Sequence, residues 1–599
     1  MEPVGYRQVE VTGGFWGEMQ RLNAEVSVYN IHKRFSETGR FSALKCQKSE
    51  NKPHIFYDSD VAKWLESAAY ILAKKEDAHL RALAEEAIGD ICRSQQPCGY
   101  FNSYFQVCEP ENIFQKRTEH ELYCAGHLIE AAVALKEAGV DEKLYAAMCR
   151  YADYIYDRFY VKKDAAFTTC GHPEIELALL RLYEFSGEKK YLDLAMFFLN
   201  ERGVREEEHY DWATRRYDQT HLPVREQKEA VGHAVRALYL YIAMADAARI
   251  SHDPALAEAC GALFADITGK KMYVTGGVGS TFHGEAFTFA YDLPNTFAYS
   301  ETCAAIALAL FCGRLSRLQN KAEYHAVFER VLYNGLLSGE SRDGKGFFYV
   351  NPLEFHEGIY DYNQSLAQKL YCPLPERVEV FDCSCCPPNI TRFIESIGGQ
   401  IYAAEGDTVY VNQYISSRTR IGGAEIEVES GMPYRGTARV CVNGRIGLRL
   451  RVPAWKGGVS MRVNGRRVQP KIEADYIELF CDGDIAVELD FKMAPYFIYA
   501  NENVFADAGR KAVAYGPLVL CGESCDNGKN LRAVRVRSLS GAKAAEGEFF
   551  TLEVPAERLK TSPGLYSSAP PAAEKFTLKL IPYFLWANRG KGDMQVWWM

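Results

Sequence analysis

Residues 121–155 read ELYCAGHLIEAAVALKEAGVDEKLYAAMCRYADYI. The stretch predicts two helices of different kinds joined by a short polar turn. The first, 121–135, is apolar nearly all round, the mark of a buried helix. The second, 141–155, opens on a polar leader and then carries apolar residues at helical spacing, the mark of a helix that covers a surface. The alternation continues outward on both sides. Polar-led segments begin at Asp77 (DAHLRALAEEAI), Asp141, Glu188 (EKKYLDLAMFFL), Asp253 (DPALAEACGALFADI) and Lys321 (KAEYHAVFERVL), at intervals of 64, 47, 65 and 68 residues. More continuously apolar segments occupy 61–73, 121–135, 173–185, 230–247 and 300–315. With 18–35 and the segment after Pro388, about twelve helices are expected, and a period of one helix pair predicts a stacked or closed array. Six pairs fit an (α/α)6 barrel. A four-helix bundle is too small, and an open solenoid would lack the long inserts.

The pattern changes near residue 400. Segments 408–414, 424–429, 438–442, 447–452, 459–463, 476–480 and 485–491 alternate apolar and polar residues, and Asn443-Gly444, Asn464-Gly465 and Asp482-Gly483 read as turns between strands. This predicts a β-sandwich. Segments 513–520 and 576–581 suggest a second small β unit, and 8–11 a strand added to one of the sheets. The expected domains are 1–398 (helical barrel), 399–515 (β-sandwich) and 516–599 (small β domain).

The chain has 599 residues, 48% of them hydrophobic, enough for a large core and two to four domains. A net charge of -9 argues against a nucleic-acid partner, which needs a basic field. No apolar run reaches the roughly 18 residues of a membrane span, and Met1-Glu2-Pro3-Val4-Gly5-Tyr6 lacks the basic and apolar regions of a signal peptide. A cytoplasmic protein is expected, its 18 cysteines reduced and mostly acting as small buried apolar residues. Cys383, Cys385 and Cys386 break that scatter.

Three groups of residues could carry chemistry. Glu301 and Cys303, two apart at a helix start, join Cys385 and Cys386 to offer one carboxylate and three thiolates, a set suited to tetrahedral Zn²⁺. Four unrelated residues would give the same letters. His127, His172 and His233 each sit near the start of an apolar helix with glycine close before them, and would line one cavity if those helices run parallel. A three-histidine metal site lacks the HxH or HExxH spacing. The glycine-rich stretch 275–287 (TGGVGSTFHGEAF) predicts a loop against a ligand, with Glu285 among apolar neighbours that would raise its pKa and make it a general acid. Asp58-Ser59-Asp60 reads as a helix N-cap. The aromatic runs at 99–105 and 347–349 suit sugar rings and buried packing equally.

Taken together, Glu285 in GEAF, Ser300-Glu301-Thr302-Cys303 and Cys385-Cys386-Pro387-Pro388-Asn389 closely resemble glycoside hydrolase family 127, the β-L-arabinofuranosidases. So do ELYCAGH (121–127), GHPEIEL (171–177), VGH (231–233) and YVNPLE (349–354). The resemblance runs from about residue 5 past residue 450 and thins after about 520. It implies an (α/α)6 barrel followed by β-sandwich domains. It implies that Glu301, Cys303, Cys385 and Cys386 bind zinc. It implies a nucleophile at Cys385 or Cys386, with Cys386 favoured as the second of the pair, and Glu285 as acid/base. It implies sugar contacts from His127, His172, His233, Thr302 and Tyr349. Near Tyr29-Asn30 the chain departs from a glutamine of the family. The implied partner is an oligosaccharide or glycoside, with a homodimer left open. Hydrolysis of another unusual pectic sugar, epimerisation of free sugars by the histidines, and glycan binding around a structural zinc are the competing readings.

Overall fold

A computed structural model describes residues 2–48, 52–357, 373–455, 457–561 and 564–599. Twelve of its helices alternate along the chain: α1 (Val28–Glu37), α2 (Tyr57–Leu72), α3 (Ala78–Ser94), α4 (Glu121–Glu137), α5 (Lys143–Ile155), α6 (Ile175–Ser186), α7 (Lys189–Glu201), α8 (Ala234–Ser251), α9 (Pro254–Asp266), α10 (Thr302–Leu318), α11 (Ala322–Val331) and α12 (Cys386–Ser396). The even-numbered helices form a closed cycle. α2 packs on α4, α4 on α6, α6 on α8, α8 on α10, α10 on α12, and α12 returns to α2. Each odd-numbered helix from α3 to α11 packs outside an even one, and α1 packs on α2 and α12.

The sequence dictates which helix goes where. In α4 every residue from Glu121 to Leu135 is buried, and in α8 every residue from Ala234 to Ala248. In α5 only the face made by Leu144, Ala147, Met148, Tyr151, Ala152 and Ile155 is buried. Three of the five polar leaders cap through their side chains: Asp77 accepts from the amides of His79 and Leu80, Asp253 from those of Ala255 and Leu256, and Asp141 from that of Leu144. Each satisfies amides that the first helical turn leaves unpaired.

Two sheets follow. The first is built on the antiparallel pair Thr437–Arg451 and Tyr476–Phe491. It also takes Val9–Val11, which pairs with Ser417–Ile421. The expected turns at Asn443-Gly444 and Asp482-Gly483 are not turns. Both lie inside these long strands and face each other, Gly444 opposite Gly483, with φ of 136° and 82°. The glycines let two strands bend together where a Cβ on Gly444 would strike Ala424 at 2.8 Å. Asn464-Gly465 is a true hairpin turn, with φ of 48° and 76°. The second sheet begins earlier than expected, at Pro495–Tyr499, and includes Lys511–Tyr515. It also recruits Glu354–Phe355 from the helical region. Among the described residues no helix is long and apolar enough to cross a membrane.

A buried ion pair joins the helices to the first sheet. Arg451 Nη2 lies 2.6 Å from Glu329 Oε1 of α11, and Trp455 donates to the other oxygen at 2.7 Å. Arg451→Ala would leave Glu329 buried without its cation. The expected cost is about 3–5 kcal/mol, read as a lower urea midpoint. An unchanged midpoint would mean that the junction does not depend on the pair.

Candidate active site

A cavity of about 510 Å³ opens at the end of the helical cycle where α8, α10 and α12 begin. Glu301 and Cys385 occupy the cap positions of α10 and α12. Helix starts carry partial positive charge, which favours carboxylate and thiolate. The ligand atoms of Glu301, Cys303, Cys385 and Cys386 lie within 4.8 Å of one another. Cys303 Sγ is 3.5 Å from that of Cys385 and 3.3 Å from that of Cys386, which are 3.8 Å apart. Glu301 Oε1 is 3.7 Å from Cys385 Sγ and 3.9 Å from Cys386 Sγ. A tetrahedral ion with bonds near 2.3 Å has ligand–ligand edges of about 3.8 Å. Glu301 Oε2 is buried without a hydrogen-bond partner, and a cation would satisfy it. The four side chains therefore fit a metal. Cys383 lies outside this set, beside the Tyr349 hydroxyl at 4.0 Å.

The adjacent cysteines differ in access. Cys385 is half-buried and lines the cavity. Cys386 is 1% exposed, does not line it, and sits on the helix side of the cluster. Cys386, the expected nucleophile, is thus the less accessible of the two sulfurs from the cavity. The difference is one of helix geometry: Cys385 stands at the cap, while Cys386 is the first residue of α12 and turns inward. Hydrogen bonds from Cys303, Cys383 and Cys386 hold the Cys385 thiol well below its usual range, whereas burial pushes Cys386 up.

Glu285 faces the cluster from the loop between α9 and α10. Tyr299 donates to its Oε1 at 2.5 Å and Tyr349 at 3.2 Å. The Tyr349 hydroxyl is also 3.5 Å from Cys385 Sγ, so one hydroxyl bridges carboxylate and sulfur. His233 lies 2.8 Å from Glu285 Oε2 through Nε2. His233 caps α8, its Nδ1 accepting from the amides of Val235 and Arg236. That leaves the ring proton on Nε2, aimed at Glu285. The expectation of a raised pKa is overturned. Burial does push Glu285 up, but His233 and Tyr299 outweigh it and hold the carboxyl below its ordinary value.

The remaining predicted residues separate. His172 lines the cavity, donating through Nδ1 to the Pro173 carbonyl at 2.9 Å and leaving Nε2 as an acceptor. Burial keeps it neutral, pushing its pKa well below the usual value. His127 does not line the cavity; its ring is fully enclosed with Nδ1 3.0 Å from Glu174 Oε1. Thr302 is also enclosed, its hydroxyl donating to the Phe348 carbonyl at 2.7 Å and its amide to that of Tyr349 at 2.9 Å. It anchors the segment that carries Tyr349 rather than facing the cavity. Tyr29 and Asn30 lie elsewhere, on Asp77 and the Lys345 carbonyl, so the departure there is away from the cavity.

The Asp58-Ser59-Asp60 cap is a further correction. These residues lie in the first turn of α2, not before it. Asp58 accepts from the Ser103 amide at 2.8 Å, and Asp60 pairs with Arg40 at 2.8 Å and reaches the cavity wall. Asp60, His120, Tyr123, Tyr210, Trp212, Tyr217 and Tyr299 were missed as cavity residues. Asp60 had a signal, since a charged residue opens an otherwise apolar helix. Trp212 had none, because its loop carries no periodicity.

Comparison with known proteins gives the arrangement its relatives. The GH127 catalytic-domain model of β-L-arabinofuranosidases matches residues 8–399, the family's middle-domain model 408–493 and its C-terminal model 471–599. A non-reducing end β-L-arabinofuranosidase of Bifidobacterium longum subsp. longum is 36% identical over 592 residues, covering 90% of this chain and 89% of that protein. The crystal structure of a GH127 β-L-arabinofuranosidase from Geobacillus stearothermophilus T6 superposes with a TM-score of 0.91 at 38% identity, covering 98% of this chain and 99% of the other. A second GH127 β-arabinofuranosidase gives 0.90 at 34% identity, covering 100% of this chain and 97% of the other. All three parts of the chain match one family in the same order, and the chain is thus a glycoside hydrolase and belongs to family 127.

Proposed function

We propose that this chain is a retaining β-L-arabinofuranosidase that removes one terminal sugar with Cys385 as nucleophile and Glu285 as acid/base. The observation that carries the reading is the single hydroxyl of Tyr349 standing 3.2 Å from Glu285 and 3.5 Å from Cys385. It keeps carboxylate and sulfur within about 7 Å, close enough to work on opposite sides of one glycosidic bond. The six-membered helix cycle is the inner ring of an (α/α)6 barrel, and the two sheets are its β-sandwich domains.

Zn²⁺ is the ion proposed for Glu301, Cys303, Cys385 and Cys386, and when bound it keeps the thiolates deprotonated at neutral pH. Cys385 Sγ attacks the anomeric carbon. A carbon–sulfur bond forms, the bond to the leaving oxygen breaks, and Glu285 protonates that oxygen. In the free enzyme Glu285 is a carboxylate held by His233 and Tyr299. A sugar filling the cavity would add to the burial that already opposes ionisation, which favours the protonated acid with substrate bound. Glu285 then deprotonates a water, which attacks the same carbon and releases Cys385. His172 Nε2 accepts from a sugar hydroxyl, and Tyr123, fixed by Lys63 at 2.7 Å, donates to another. His127 and Thr302 support this wall from behind.

The deciding experiment is NMR of the first-formed anomer from an aryl β-L-arabinofuranoside. Retention is expected, and inversion would reject a covalent nucleophile. Metal analysis should return about one zinc per chain. Stripping it with a chelator should lower activity and thermal midpoint together. Full activity in a zinc-free sample would reject the proposed ligand set.

A further inference from the structure

A second cavity, of about 260 Å³, lies where the helical region meets the second sheet, and it shares no lining residue with the catalytic cavity. One wall carries Tyr291, from the segment between α9 and α10, and Arg330 of α11. The other carries Tyr499, at the end of strand Pro495–Tyr499, with Asp507 and Trp597. The first wall is braced. The Tyr291 amide donates to the Lys270 carbonyl at 2.8 Å, and the Tyr273 hydroxyl to the Pro294 carbonyl at 3.1 Å.

The polar groups of this cavity are only partly used. Trp597 is 4% exposed, and its indole N–H is buried without a partner. Native interiors seldom leave such a donor unpaired. Arg330 donates to the Val274 carbonyl at 3.1 Å and pairs with no carboxylate among the described residues. Asp507 is 5% exposed; Asn295 donates to one of its oxygens at 2.7 Å, and the other has no partner among the described residues. The apolar surface is as unusual. The Tyr499 ring is 69% exposed, and Phe289 and Phe505, two residues before Tyr291 and Asp507, are 74% and 93% exposed. Exposed rings gathered around a cavity mark a binding surface.

The mixture selects a ligand class. An alkyl chain would leave Arg330 and the Trp597 N–H unanswered. A phosphate would meet one unpaired cation, since Lys270 is held by Asp266 at 3.3 Å, and Asp507 would repel it. A neutral sugar ring presents an apolar C–H face to tyrosine and hydroxyls to a guanidinium, an indole N–H and a carboxylate. The volume is below the roughly 300–1,000 Å³ of sites for drug-sized ligands and suits a single ring.

We infer that this junction cavity is a second, non-catalytic sugar site, in which Tyr499 stacks on one neutral ring and Arg330, Asp507 and Trp597 bind its hydroxyls. The β-L-arabinofuranosidase reading above supplies the probe, a β-L-arabinofuranosyl disaccharide. Equilibrium dialysis on the full-length Cys385→Ser protein, which does not turn the probe over, should saturate at about two sugars per chain. Tyr499→Ala or Arg330→Gln, added to that protein, should weaken one of the two by about tenfold and leave the other unchanged. Tyr499→Phe should keep both, since it keeps the aromatic face. In the active enzyme the same substitutions should leave kcat/KM for a small aryl arabinoside within about twofold. Saturation at one sugar that Tyr499→Ala and Arg330→Gln do not weaken would overturn the second site. So would a Tyr499→Ala protein that keeps both sugars but changes from dimer to monomer in sedimentation, because the exposed rings would then belong to a contact between copies of this chain. Loss of the sugar that Tyr499→Ala spares, with the other retained, would instead reject the β-L-arabinofuranosidase reading and leave the junction site standing.

Discussion

Cys385→Ser is expected to lower kcat by at least about 10⁴-fold while the protein stays folded and keeps most of its proposed metal. A serine hydroxyl remains protonated at neutral pH and is a far weaker nucleophile than a thiolate, whereas the other three proposed ligands would still hold the ion. Cys386→Ser behaves differently. Its sulfur sits on the enclosed side of the cluster, so its loss should act first on metal affinity, by at least about tenfold, and on thermal midpoint. Activity of Cys386→Ser should return in excess zinc, and that of Cys385→Ser should not. Wild-type turnover in Cys385→Ser, or a metal-saturated Cys386→Ser as inactive as its neighbour, would overturn the assignment of the nucleophile.

Glu285→Gln is the second large effect. The amide can neither protonate the leaving oxygen nor deprotonate water, so kcat should fall by about 10²–10⁴-fold on substrates with poor leaving groups. Arabinosides of acidic phenols, which leave without a proton, should lose much less at the first step. The thioglycosyl intermediate should then accumulate and appear by mass spectrometry on Cys385. A uniform loss across leaving groups would argue against the acid role. His233→Ala removes the hydrogen bond at 2.8 Å that, with Tyr299, holds Glu285 down.

Much of the architecture was readable because burial imposes composition. A helix enclosed on all sides has little room for charge, so α4 and α8 read as mostly apolar, with a few buried charged residues such as Glu121, Glu130, Arg236 and Asp246, while α5 and α3 show one apolar stripe. The strands read less well. Asn443-Gly444 and Asp482-Gly483 carry the letters of hairpin turns, yet each continues a strand because its partner glycine lies directly across. A turn signal is local, and pairing between strands 39 residues apart can override it. The Glu301, Cys303, Cys385 and Cys386 cluster was legible because four potential ligands of one metal are rare. The direction of the Glu285 shift was not, since apolar neighbours in sequence said nothing of a histidine 52 residues away.

The sequence by itself determined the alternation of helices, the change to strands near residue 400 and the residue types able to bind a metal, because periodicity and side-chain chemistry are written locally. The tertiary structure decided which cysteine of an adjacent pair meets the cavity, which histidines face it and which carboxyl is held ionised. Those depend on the cap geometry of α8 and α12 and on contacts across the ring, where a rotation of one residue along a helix turns a side chain from the cavity to the packed interior.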